Sequence, residues 1–355
     1  MERVGFAVVG TSAIAEAMVE AMAGVDRAQY VGSVSRSAER AASVTARLGG
    51  TTPFLSREAA CACSEVDAVY IASPNALHAE QALACIRAGK HVLVEKPLAA
   101  NEAEAQMVFD EARAHGVVAM EAMRSVHDPG LDVIRRAIER VGQVRRASLR
   151  FGKYSSRYDE VLAGRQTNIF DARLATGALM DIGVYCVEAM VALFGAPSAV
   201  ACAPVLIGHA DTQATGGAID GAGTIIARYD NKVVELSYSK ITQDLLACQV
   251  EGELGTVTFR GASIPSEGTI RLRAQAAARQ QGYSAGASDA DRVEELAFEP
   301  CANNMCYELE DFVGCICEGD SVEPYRTFTI ETLSIMDEAR RQAGIVFPED
   351  GRAMR

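Results

Sequence analysis

A chain of 355 residues exceeds what one hydrophobic core usually supports, roughly 250 to 300 residues, so two domains are expected. With 49% hydrophobic and 23% charged residues, the composition is that of a soluble globular protein and not of a disordered, collagenous or membrane-embedded one; no apolar run approaches the ~18 residues needed to cross a bilayer. The balance of 34 basic against 47 acidic residues, net -13, disfavours nucleic acid and anionic membranes as partners.

The first third alternates apolar runs with helical periods, the pattern of βαβ units feeding a parallel sheet. Strands are predicted at Val4 to Val9, Tyr30 to Ser35, Val66 to Ala72, His91 to Val94 and Val117 to Ala122. Helices are predicted between them at Ala13 to Ala23, Ala38 to Leu48, Leu77 to Ala88 and Glu102 to His115. The opening run meets Gly10 and Thr11 rather than a cleavage site, so it reads as a strand and not as a signal sequence.

After about residue 123 the rhythm changes to longer strands separated by turns, which predicts a mostly antiparallel sheet. The candidates are Val144 to Phe151, Ala199 to Leu206, Gly223 to Tyr229, Val233 to Ser239, Ala247 to Gly252 and Thr256 to Arg260. Asp230 and Asn231 suit a tight hairpin turn, and Gly177 to Phe194 reads as an inserted helix that stops at Gly195. Arg279 to Asp291, poor in apolar residues, reads as a surface excursion. Two helices, Asn304 to Glu318 and Thr327 to Ala343, close the chain. The expected organisation is α/β, with a dinucleotide-binding domain over 1–123 and a second α/β domain with a large, open, mostly antiparallel sheet over 124–355.

Ten cysteines without a signal sequence point to free thiols in a reducing, cytoplasmic setting. Cys61 with Cys63, and Cys315 with Cys317, lie in apolar helical patterns and lack the spacings that wrap a tetrahedral ion, so no metal is expected.

Gly10 ends the first strand, and Ser12 and Ala15 follow in VGFAVVGTSAIAEAM. A dinucleotide turn needs a Gly for the bend, a second small residue near the pyrophosphate and a third for helix packing. These three residues fill those places, with Thr11, Ala13 and Ile14 completing the turn. Ser12 departs from the usual Gly and suits either a phosphate contact or a helix cap. The second strand ends in Ser35, Arg36 and Ser37, with no carboxylate for the ribose hydroxyls of NAD, so a 2′-phosphate and NADP are favoured over NAD.

Ser73, Pro74, Asn75 and His78, followed by Glu95, Lys96 and Pro97 at the end of the next strand, resemble the glucose-fructose oxidoreductase, inositol dehydrogenase and MocA family. GALMDIGVYCVEAM at 177 to 190 resembles the substrate-domain helix of the same family, and the resemblance extends over essentially the whole chain. It implies a Rossmann domain followed by an open α/β domain, NAD(P)-dependent oxidation or reduction of a sugar, polyol or related alcohol, and association as a dimer or tetramer through the large sheet. Ser73, Asn75, His78, Glu95 and Lys96 then lie at the cofactor.

Hydride transfer needs a partner for the hydroxyl proton, and Lys96 is placed for it at the carboxyl end of a parallel strand. Burial beside an oxidised, positively charged nicotinamide is expected to depress its pKa. Asp181 and Tyr185, four apart, share a helix face and can serve one site. The resemblance implies that Tyr185 replaces the His common in the family, as in the subgroup that includes dimeric dihydrodiol dehydrogenase. Tyr185 is then the acid/base or the hydroxyl anchor, and Asp181 orients Lys96 or substrate. Tyr154, Arg157 and Tyr158 are candidates for lining the substrate pocket, although such residues after a strand, like Arg124 and His127, equally suit an interface or the surface.

The leading expectation is an oxidoreductase that acts on a secondary alcohol or carbonyl of a sugar, polyol or dihydrodiol. A glycoside-processing enzyme with a tightly held, recycled cofactor is the second, and a non-catalytic NADP-responsive binding protein the third.

Overall fold

A computed structural model of the chain describes residues 3–207, 212–273 and 291–351. The first domain is a five-stranded parallel sheet of β1 (Val4–Val9), β2 (Ala28–Val34), β3 (Ala68–Ile71), β4 (His91–Glu95) and β5 (Ala119–Ala122), in the order β2-β1-β3-β4-β5. Every residue of β1, β3 and β5 is buried, because helices cover both faces and leave no side for polar alternation. The helices are α1 (Ala13–Met22), α2 (Ala38–Arg47), α3 (Arg57–Ala62), α4 (His78–Arg87) and α5 (Glu102–His115). The order of the strands reverses between β1 and β3, and ligands bind beyond the carboxyl ends of the strands at such a switch point.

Three helices, α6 (Arg124–His127), α7 (Pro129–Glu139) and α8 (Arg157–Leu162), precede or follow β6 (Val144–Gly152), the first strand of the second sheet. The predicted helix over Gly177 to Phe194 begins as a π-helical turn, Leu179–Gly183, and continues as α9 (Val184–Phe194), with Gly195 at its C-cap. The remaining strands are β7 (Ala199–Ile207), β8 (Ile219–Arg228), β9 (Val233–Ser239), β10 (Cys248–Gly252), β11 (Gly255–Arg260), β12 (Glu267–Leu272) and β13 (Arg292–Glu295); the short α10 (Thr212–Thr215) lies between β7 and β8. Their order is β13-β12-β11-β10-β6-β9-β8-β7, antiparallel except for the β6 and β9 pair. The hairpin at Asp230 and Asn231 forms as expected, with the Tyr229 amide donating to the Lys232 carbonyl at 3.0 Å.

Strands β12 and β13 have no counterpart among the predicted strands, since their mixture of Glu, Arg and Thr carries no clear apolar alternation. The excursion expected at Arg279 to Asp291 lies, except for Asp291 itself, outside the described residues. Two helices, α11 (Met305–Cys317) and α12 (Glu323–Ala343), close the chain. They return to the first domain: Leu309 and Phe312 of α11 join Phe6 and Tyr70 in one core cluster, and Leu333 of α12 joins Val92 and Phe109 in another.

The segment Ala172–Phe194 does have the length and mean hydropathy, 1.7, of a membrane span, contrary to the expectation that no run approaches it. Of its apolar 18-residue stretch 72% is buried within the protein, and the segment carries Asp181 and Glu188, so it is a core segment of the second domain.

Candidate active site

The turn after β1 is shaped by close contact. Gly10 has φ +123°, and a Cβ there would lie 2.8 Å from the Ala72 carbonyl oxygen, so only Gly fits beside the end of β3. Ser12 caps α1, its Oγ accepting from the Ala15 amide at 3.4 Å. Ala15 is buried, which lets α1 close onto the sheet. The helix thus presents its N-terminus at the switch point, where its free amides and dipole favour a pyrophosphate. Thr11 and Ala13 lie within the same turn, and Ser12 and Ile14 reach the cavity described below.

At the neighbouring strand end, Ser35 accepts from the Ser37 amide at 3.3 Å, and Ser37 caps α2 by accepting from the Arg40 amide at 3.3 Å. Arg36 between them is exposed. A bidentate pair of hydrogen bonds from Arg47 to Glu16 holds α2 against α1. The arrangement, an exposed guanidinium between two serine hydroxyls, fits the adenosine end of a phosphorylated dinucleotide.

His78 is a strut between two loops. Its Nε2 lies 2.7 Å from the Ser73 carbonyl oxygen and its Nδ1 2.9 Å from that of Pro97, and burial lowers its pKa. Asn75 crosses between domains, donating from Nδ2 to the Ala175 carbonyl at 2.8 Å. Glu95 accepts a hydrogen bond from the Tyr70 hydroxyl in the buried floor of the site, and burial pushes its pKa up.

Lys96 follows β4 directly and reaches the second domain. Its Nζ donates to the backbone oxygen of Asp181 at 2.5 Å and to Oδ1 at 3.1 Å, and it stands 5.0 Å from the centre of the Tyr185 ring. The other carboxylate oxygen of Asp181 accepts from Lys240. The π-helical turn carries Asp181 one short step ahead of Tyr185, so both face the same cavity.

The charges in this cluster oppose one expectation. Burial alone lowers the pKa of Lys96, but Tyr185, Asp181 and Glu95 outweigh it, so the protein holds the ammonium above its ordinary value rather than depressing it. Burial raises the pKa of Asp181, and the adjacent Lys96 and Lys240 more than reverse this, bringing it down to about 2. Burial pushes the Tyr185 phenol up against the opposing charge of Lys96. At neutral pH the cluster therefore holds an ammonium, a carboxylate and a neutral phenol. Two proton donors, Lys96 and Tyr185, stand together at the mouth of a parallel strand, where an oxygen that gains or loses charge can be bonded.

The cavity has a volume of about 540 Å³ and is walled by both domains. Ser73, Asn75, His78, Glu95 and Lys96 line one side, and Asp181 and Tyr185 the other. Arg124, Asn168, Ile169, Thr176 and Glu308 also line it.

The three residues expected to line the substrate pocket do not line this cavity. Tyr154 is exposed and donates its hydroxyl to Asp159 at 2.6 Å, Tyr158 packs on Phe170 with ring centres 6.0 Å apart, and Arg157 opens α8. From this part of the chain the cavity wall comes instead from Asn168, Ile169 and Thr176. His127 is likewise structural: it is buried, bonded to Asp311 at 2.7 Å and stacked on Tyr325.

Lys240, Glu308 and Asn168 are not among the residues that the sequence singles out. Lys240 leaves a weak signal, a lone Lys that ends the apolar alternation of VVELSYSK. Glu308 is a carboxylate on the apolar face of α11, beside Met305, Leu309 and Phe312.

Residues 4–123 match an oxidoreductase family with an NAD-binding Rossmann fold, and residues 133–258 match the GFO/IDH/MocA C-terminal domain. The chain is 38% identical over 347 residues to scyllo-inositol 2-dehydrogenase (NADP(+)) IolU of Bacillus subtilis, covering 97% of this chain and 98% of that protein. It is 27% identical over 329 residues to trans-1,2-dihydrobenzene-1,2-diol dehydrogenase of Mus musculus, covering 91% of each. Among solved structures, the 3-ketoreductase KijD10 of Actinomadura kijaniata with NADP and TDP-benzene superposes with a TM-score of 0.78 at 22% identity, covering 96% of this chain and 98% of that one. The aldose-aldose oxidoreductase of Caulobacter crescentus superposes equally well, at 0.78 and 21% identity over the same shares. These two share the fold.

Proposed function

This chain belongs to the GFO/IDH/MocA oxidoreductase family, and from that premise we propose that it moves hydride between NADP and a secondary alcohol of a cyclic polyol or sugar, or the corresponding ketone. The observation that carries the proposal is the convergence of Lys96, Asp181 and Tyr185, from two domains, on one cavity beside the turn at Gly10. When bound, NADP takes or supplies the hydride.

Everything else falls to side chains of this protein. Lys96 directs two N–H groups to Asp181 and keeps a third for a substrate oxygen. Tyr185 offers its hydroxyl to the same oxygen. In the reductive direction Lys96 or Tyr185 gives a proton to the oxygen as hydride reaches the carbon, and in the oxidative direction one of the two first releases its proton to solvent and then takes the alcohol proton as hydride leaves. Asp181, with both carboxylate oxygens occupied by lysines, is an orienting group and not a base. Asn168, exposed and polar at the edge of the cavity, suits a remaining hydroxyl of a polyol. Arg36, Ser35 and Ser37 support NADP over NAD, in line with the cofactor in the name of the Bacillus relative.

The open face of the second sheet suits association with a second copy. Ala201, Ala203 and Val205 on β7 and Ile226 on β8 are exposed there, an apolar stripe of small side chains. All ten cysteines are free thiols, which fits a reducing, cytoplasmic setting.

The test is the absorbance of the reduced nicotinamide during incubation with NADP and a panel of inositols, pentoses, hexoses and dihydrodiols. A rise that depends on one cyclic polyol or sugar is the expected result. Consumption of a glycoside without net reduction of NADP contradicts the proposal.

A further inference from the structure

Lys240 is the second buried lysine beside Asp181, and the proton chemistry of Lys96 and Tyr185 gives it no task. It follows β9, is 9% exposed, and has its backbone held on both sides: its amide donates to the Gly221 carbonyl and its carbonyl accepts from the Ser155 amide, each at 2.9 Å. Its Nζ is bonded to Oδ2 of Asp181, whose Oδ1 and backbone oxygen are bonded by Lys96. One carboxylate thus stands between two ammonium groups that come from different domains. Lys240 does not line the cavity.

A lone carboxylate bonded to Lys96 holds that ammonium tightly and stabilises its protonated form. A second fixed ammonium on the far oxygen divides the attraction and adds like-charge repulsion, so Lys96 remains placed but is less firmly protonated. We propose that Lys240 is a positioning residue, which by sharing Asp181 keeps the Lys96 amine available to exchange a proton with a substrate oxygen. The inference rests on the role assigned to Lys96 above. Other groups that act on the Lys96 site, Tyr185, Glu95, His78 and Glu121, remain in place when Lys240 is replaced.

The test needs neither cofactor nor substrate. The chain has five lysines, at 90, 96, 153, 232 and 240, so each is followed by peptide mass spectrometry after trace labelling of the folded protein with acetic anhydride at one alkaline pH. The rate at Lys96 is read relative to that at Lys153, which is exposed. In Lys240→Met the relative rate at Lys96 is expected to fall roughly tenfold, the loss of free amine when its pKa rises by about one. Lys240→Gln keeps a hydrogen-bond donor without the charge and is expected to show the same fall, so the test survives if the methionine variant does not fold. The double variant Lys240→Met with Asp181→Asn is expected to restore the rate to the original value or above it.

An unchanged or faster rate at Lys96 in both single variants overturns the proposal, as does a fall that Asp181→Asn leaves uncorrected. Because labelling is independent of turnover, absence of any oxidised polyol or sugar contradicts the proposed function while leaving this test in force.

Discussion

Asn75 of the first domain donates its side-chain amide to the backbone oxygen of Ala175 in the second, at 2.8 Å. Ala175 is fully buried and has φ 52°, the left-handed conformation that a residue with a Cβ adopts only when its surroundings hold it. The next residue, Thr176, lines the cavity and accepts from the Asp171 amide at 3.0 Å. Together with the two Lys96 bonds to Asp181, the Asn75 hydrogen bond ties the first domain's side of the cavity to the second domain's.

Asn75→Ala removes that bond from a buried carbonyl. The expected loss is ~1 to 2 kcal/mol of stability, measured by urea denaturation, together with a fall of roughly tenfold in kcat/KM as the two walls lose their register. A variant with unchanged kcat/KM on the identified substrate shows that the strut does not set the geometry of the site.

Tyr185→Phe removes the hydroxyl and leaves the ring against Phe151, 5.8 Å away, and beside Lys96. Turnover is expected to fall by ~10²- to 10⁴-fold, the usual worth of a positioned proton donor, and Lys96→Met by at least as much. The dissociation constant of NADPH, followed by fluorescence, is expected to change little in Tyr185→Phe. Near-original turnover in either variant removes that side chain from the proton path.

Arg36→Ala tests the adenosine end. A charged hydrogen bond to a 2′-phosphate is worth ~1.5 to 3 kcal/mol, so NADP affinity is expected to drop by roughly ten- to a hundredfold. NAD, without that phosphate, is expected to bind the variant as it binds the original protein. Titration of both cofactors by calorimetry checks this, and equal losses for the two contradict a phosphate contact.

Asp220 on β8 anchors the start of the helix that carries the site. Its Oδ2 accepts from the Leu179 amide at 2.7 Å, and its Oδ1 lies where a Cβ on Gly177 would fall. Burial raises its pKa from 3.8 to about 6 against the backbone amides that bond it. A carboxyl with a folded pKa above the unfolded one binds its proton more tightly in the folded state. Its contribution to stability is present in full below about pH 4 and is lost as the pH rises through about 6. Relative to Asp220→Asn, the original protein is therefore expected to lose on the order of 3 kcal/mol between those limits, the free energy that separates a carboxyl titrating near 6 from one titrating near 4. Urea denaturation of both proteins across that range measures it, and parallel pH profiles contradict the assignment.

Much of this protein can be read along the chain. The parallel strands are continuous apolar runs because helices cover both of their faces, and β1, β3, β4 and β5 stand out for that reason. Gly10, Ser12 and Ala15 are legible because a strand, a tight turn and a helix follow one another within a dozen residues, so the spacing is itself the geometry. Asp181 and Tyr185 share a wall for the same local reason, being four apart in one helical segment.

What the sequence does not disclose depends on contacts between distant parts of the chain. Lys240 stands 59 positions from Asp181, and its partner follows from the pairing of β9 with β6 and β8, which no local pattern specifies. Asn168, Ile169 and Thr176 line the cavity where local reading offers Tyr154, Arg157 and Tyr158, because which part of this segment meets the first domain is decided by tertiary contacts such as that of Asn75 with Ala175. The direction in which the Lys96 pKa moves also depends on the folded structure. Local sequence can put a lysine at the end of a strand beside Glu95, but the groups that outweigh its burial include Tyr185 and Asp181, and both belong to the other domain.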